Sequence, residues 1–114
     1  MIDAEIFRNS RGLVTGFSVK NHGEGTVCAA VSMLVLNTVN SIEVLTEDDF
    51  FCEYNDNGGN LKFSLSEPDS QTPGMKILLD AMILGLESVR EQHPEELCLR
   101  VTQGNLLKVS DFYD

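Results

Sequence analysis

The chain has 114 residues, 42% hydrophobic and 23% charged, which is enough apolar material for one core and too little for two. Eighteen acidic residues against eight basic ones give a net charge of −10, which argues against a phosphate-driven nucleic-acid binder. That charge suits a basic partner, although an acidic surface also serves solubility alone. The first residues, Met1-Ile2-Asp3-Ala4-Glu5-Ile6, lack the basic start and apolar core of a leader peptide. The longest nearly apolar stretch, Val27 to Leu36, falls short of the ~20 residues that span a bilayer. The expectation is a single cytoplasmic domain over residues 1–114, without membrane or direct nucleic-acid contact. Cys28, Cys52 and Cys98 form no close pair and are expected to be thiols in a reducing compartment. No Cys/His cluster has metal-ligand spacing, so no metal or cofactor is expected.

Ile2, Ala4 and Ile6 alternate with Asp3 and Glu5, the period of a half-buried strand. After the turn cluster Asn9-Ser10-Arg11-Gly12, Leu13, Phe17 and Val19 resume that spacing, so residues 2–20 read as a β-hairpin. From Thr26 the period becomes helical, with Val27, Val31, Leu34, Thr38, Ile42 and Leu45 on one stripe and Thr26 as N-cap. Ala29, Ala30, Met33 and Leu36 make much of the remaining surface apolar. Such a helix is covered on more than one side, by the sheet and by a second helix or a second subunit.

Phe50, Cys52 and Tyr54 share one face of a third strand, and Asn55-Asp56-Asn57-Gly58-Gly59 is a hairpin turn. Leu61, Phe63 and Leu65 return as the fourth strand, followed by a polar loop from Pro68 to Pro73. A second helix carries Leu78, Ala81, Met82, Gly85 and Val89 on one face and ends at Pro94. Leu97, Leu99 and Val101 form a fifth strand. The order ββαββαβ predicts an α+β or α/β fold, with a mixed sheet of about five strands and two helices packed on it.

Two histidines differ in setting. His93, before Pro94, reads as a solvated cation at a helix C-terminus. His22 lies in Asn21-His22-Gly23-Glu24-Gly25-Thr26, a glycine-containing connection between strand and helix, where a rigid scaffold commonly holds reactive groups. Cys28 falls in the first turn of the following helix. A helix N-terminus favours thiolate through its partial positive charge and unpaired N–H groups. An imidazole within reach would add a general base or an ion-pair partner. A cysteine in a helix is otherwise a small hydrophobe, and that reading stands beside the catalytic one. Ser32 lies one turn further on the same helical face, placed to orient the sulfur or to bond back to a helix carbonyl. Cys52 and Cys98, in strands without a neighbouring histidine, read as structural.

Val27-Cys28-Ala29-Ala30-Val31-Ser32, preceded by His22, resembles the ribosomal-processing cysteine protease family. The resemblance continues through Thr38-Val39-Asn40-Ser41-Ile42, the Asp56-Asn57-Gly58-Gly59 turn and the second helix, covering nearly the whole chain. It implies a homodimeric cysteine endopeptidase that removes an N-terminal extension from a large-subunit ribosomal protein precursor. In that scheme His22 is the general base, Cys28 the nucleophile and Ser32 a supporting serine. The substrate would be a ribosomal precursor with a basic extension. This sequence departs from the family pattern at three points: a shorter connection between His22 and Cys28, Asn21 where the family has Gly, and Gly25 where it commonly has Asp. These departures leave open an alternative, a non-catalytic binding module of the same fold that recognises a basic ribosomal tail. A redox-sensing thiol is the weaker third reading, since no resolving cysteine lies nearby in sequence.

Overall fold

The computed structural model describes residues 1–21, 25–55 and 60–103. The elements follow the expected order: β1 (Ile2–Arg8), β2 (Val14–Lys20), α1 (Thr26–Leu45), β3 (Phe50–Asn55), β4 (Asn60–Leu65), a short 3-10 turn (Pro68–Ser70), α2 (Pro73–Gln92) and β5 (Leu97–Gln103). Five strands form one mixed sheet in the order β3-β4-β2-β1-β5. β5 runs parallel to β1, and the other three pairings are antiparallel. The parallel pair is reached through α2, the long crossover such a connection needs.

The first hairpin turns on Asn9, whose Oδ1 accepts from the N–H groups of Arg11 (2.9 Å) and Leu13 (3.1 Å). Gly12 supplies the left-handed residue, at φ 80°. Register then places Ala4 opposite Val19 and Ile6 opposite Phe17, with Phe17 opposite Phe63 and Val19 opposite Leu61. Ile2 faces Leu97 across the parallel pair. All eight are buried, in one cluster with residues of both helices. The sheet therefore has one covered face, and both helices lie on it.

α1 contributes Val27, Val31, Val35, Thr38, Val39 and Ile42 to this core. Leu34, expected in the buried stripe, sits at its edge and packs toward Gly85 of α2, where an added Cβ would lie 2.7 Å from a Leu34 methyl. Leu45 is exposed. Averaged along the helix, the apolar character of α1 extends well beyond Val27–Leu36. Length and composition alone would let it cross a bilayer, but one side is committed to the sheet. Thr26 is not the N-cap. The helix already includes it, and Gly25 (φ 112°) caps without a side-chain bond.

α2 is capped by Thr72, whose hydroxyl accepts from the Met75 N–H at 3.2 Å, with Pro73 in the first turn. Its buried residues are Met75, Leu79, Met82, Ile83 and Leu86, a stripe rotated from the expected one. Phe50, Cys52 and Tyr54 do share a face, since they pair with Leu65, Phe63 and Leu61. β3 is an edge strand, however, and only Phe50 packs against the core. The Asp56–Gly59 turn and residues 104–114 lie outside the described residues.

Candidate active site

The topology determines where the site forms. β1 and β5 are parallel, so Ile2 and Leu97 begin at the same end of the sheet. β2 is antiparallel to β1 and finishes there with Lys20 opposite Asp3. α1 starts five residues after Asn21 is reached, so its N-terminus lies over that same end. A cavity of about 280 Å³ opens between these segments. Its walls include Ile2 of β1, Asn21 after β2, Gly25 and Cys28 at the start of α1, and Glu95 and Glu96 before β5.

Cys28 is half-buried, packs in part against the core and lines the cavity. The helix end beside it has no side-chain cap and no acidic residue in its first turn. The positive end of the α1 dipole is therefore not neutralised by the helix itself. Ser32 follows one turn later, also half-buried, and is not among the described residues that line the cavity. His22 lies outside the described residues, but its sequence neighbour Asn21 and Gly25 beyond it both line the cavity with Cys28.

Asn21 is tied down at both ends. Its N–H donates to Asn60 Oδ1 at 3.1 Å, and its side-chain Nδ2 donates to Asp3 Oδ2 at 3.0 Å. Its φ of 63° is in the left-handed region. Glu95 and Glu96 make one side of the cavity acidic, and Glu96 Oε2 lies 3.4 Å from His93 Nδ1. His93 also ends α2, its N–H donating to the Val89 carbonyl at 2.8 Å. Cys28, the candidate nucleophile from sequence, thus shares a cavity with both residues that flank the 22–24 connection. Asp3, Asn60, Glu95 and Glu96 carry no signal in sequence, because they reach this end of the sheet only through the β1–β5 and β2–β4 pairings. Among the described residues, no group of three or more His, Cys, Asp or Glu could hold a metal ion.

The other thiols are placed differently. Cys98 is opposite Asp3 in the β1–β5 ladder, away from the helix-covered face. Cys52 is on edge strand β3, beside a larger groove of about 680 Å³ that also includes Glu43, Asp48 and Phe50. Cys52 keeps solvent-exposed surface, so accessibility alone would favour it as the reactive thiol. Its partial burial pushes its thiol up from the ordinary value, against thiolate formation. Iodoacetamide near neutral pH is thus expected to label Cys28 well before Cys52 and Cys98. Peptide mapping of the labelled protein reads the order, and equal or slower labelling of Cys28 would count against its activation.

The cysteine protease Prp family model matches residues 1–98. The ribosomal processing cysteine protease Prp of Staphylococcus aureus is 30% identical over 105 residues, covering 87% of this chain and 97% of its own. That of Bacillus subtilis is 29% identical over 112 residues, covering 90% and 96%. The crystal structure of S. aureus Prp with a covalently linked product peptide superposes with a TM-score of 0.82 at 27% identity, over 90% of this chain and 100% of that one. With nearly the whole chain matched and a cysteine at the mouth of the cavity, the protein belongs to the cysteine protease Prp family and is a cysteine peptidase.

Proposed function

We propose that this peptidase removes an N-terminal extension from a large-subunit ribosomal protein precursor in the cytoplasm, with Cys28 as nucleophile and His22 as general base. The observation that carries the proposal is the cavity at the α1 N-terminus, which Cys28 lines together with both residues flanking 22–24. The relatives' names support the substrate class: both are ribosomal processing proteases. The acidic wall of Glu95 and Glu96 suits a basic substrate segment approaching the sulfur.

In the proposed mechanism His22 takes the Cys28 proton, and the sulfur attacks the scissile carbonyl carbon. The oxyanion faces the α1 N-terminus, whose backbone N–H groups are the candidates to stabilise it. His22 returns the proton to the departing amine, leaving a thioester on Cys28. Water, giving its proton to His22, then attacks the thioester. The carboxyl product leaves, and the proton goes back to sulfur. Ser32, one turn beyond Cys28, supports the nucleophile. The test is incubation of the purified protein with a ribosomal precursor peptide, followed by mass spectrometry. Loss of the extension is expected, and an intact precursor would refute the reading.

The same proposal includes a homodimer. The outward side of α1 exposes Met33 (70%) and Val44 (78%), and Ala29, Asn37 and Asn40 along the same side are exposed and uncharged. Glu43 is the only charged residue in the helix. An uncharged exposed stripe on a chain of net charge −10 fits burial against a second copy. Sedimentation at micromolar concentration is expected to show a dimer, and Met33→Lys is expected to shift it toward monomer. A wild-type monomer throughout that range would rule this interface out.

A further inference from the structure

We infer that Asp3, Asn21 and Asn60 form a clamp that directs the chain into His22, making Asn21 a positioning residue for the proposed base. The inference rests on the reading of His22 as base. The regular ladders end before Asn21. β2 pairs with β1 as far as Lys20, opposite Asp3, and with β4 as far as Val19, opposite Leu61. The two hydrogen bonds of Asn21 extend order one residue further, to the residue that immediately precedes His22. They come from two different elements, β1 through Asp3 and the first residue of β4 through Asn60, and they hold both the backbone and the side chain.

Stability does not account for this arrangement. Both bonds are solvent-exposed, and exposed hydrogen bonds contribute little net stability. The conformation they hold, φ 63°, is one that L-residues adopt with difficulty and that Asn tolerates better than most. A left-handed residue changes the direction of the chain sharply, so its φ determines where the chain leaves the sheet. Asn21 also lines the cavity that contains Cys28, so that direction is defined at the wall of the site. The clamp thus does for an asparagine what a glycine could do unaided, and it adds two anchors.

The test compares peptide cleavage by wild type, Asn21→Ala, Asn21→Gly, Asp3→Ala and His22→Ala, together with melting temperatures. Asn21→Ala loses the Asp3 bond and disfavours positive φ; kcat should fall about tenfold or more, with a smaller change in KM, because small misplacements of catalytic groups are costly. The acidic limb of its pH–rate profile should shift as well, a change that loss of folded protein alone would not produce. Asn21→Gly retains positive φ and the N–H bond to Asn60, so it should recover to within about threefold of wild type. Asp3→Ala should lie between the two. If Asn21→Ala keeps the wild-type kcat and pH profile while His22→Ala is inactive, the positioning role is refuted and the proposed base stands. If His22→Ala retains full activity, both fall.

Discussion

Replacement of Cys28 by alanine is expected to abolish cleavage of a ribosomal precursor peptide, a loss of roughly 10⁴-fold or more in kcat, as for other covalent catalysts without their nucleophile. The variant should remain folded. Cys28 is only half-buried, and alanine is the best helix former, so α1 loses little. His22→Ala should cost a similar factor. The double variant should be little worse than either single one, because a nucleophile and its base act as a unit. Ser32→Ala should be milder, about tenfold, in keeping with a supporting role. Turnover by Cys28→Ala at the wild-type rate would remove this thiol from the chemistry. A wild-type protein that binds the extension but never cuts it would show recognition without catalysis, and the short His22–Cys28 connection would be the first region to examine.

The largest effect on stability is expected from Phe63→Ala. Phe63 and Phe17 are both 0% exposed and stack across the β2–β4 ladder with ring centroids 4.8 Å apart. Phe50 of the edge strand stacks on the other side of Phe63 at 5.1 Å. Truncation would leave a cavity between two rings, each held by its own strand and unable to collapse into the space. Buried Phe→Ala changes cost about 3–5 kcal/mol, out of a typical total of about 5–15 kcal/mol. Thermal unfolding should move down by roughly 15 °C or more. A loss below about 1 kcal/mol in denaturant titration would mean that the stack does not anchor β3 and β4 to the core.

The element order was legible because the sequence changes period where the chain changes structure. Alternation gives way to a 3.6-residue repeat at Val27 and resumes at Phe50. Burial was harder to read. Phe50, Cys52 and Tyr54 alternate like a core strand, but β3 is at the sheet edge, and alternation does not distinguish an edge strand from a covered one. α2 misled in a related way. Ile77 and Leu84 are apolar yet 67% exposed, so more than one stripe could be drawn and the buried one runs through Met75 and Leu79. At the cavity, Cys28 was legible as a candidate because its signal is local, a cysteine at the start of a helix. Asp3, Asn60, Glu95 and Glu96 were not, because they join that site through pairings between segments far apart in sequence.

If Cys28 is the nucleophile, it carries the acyl group during cleavage. The most direct measurement is acid-quenched mass spectrometry of the enzyme mixed with a precursor peptide in the first turnover, followed by digestion and mapping. A transient mass increase equal to the acylated extension is expected on the peptide that contains Cys28, absent from Cys28→Ala. An adduct on the Cys52 or Cys98 peptide, or sustained cleavage by Cys28→Ala, would contradict it.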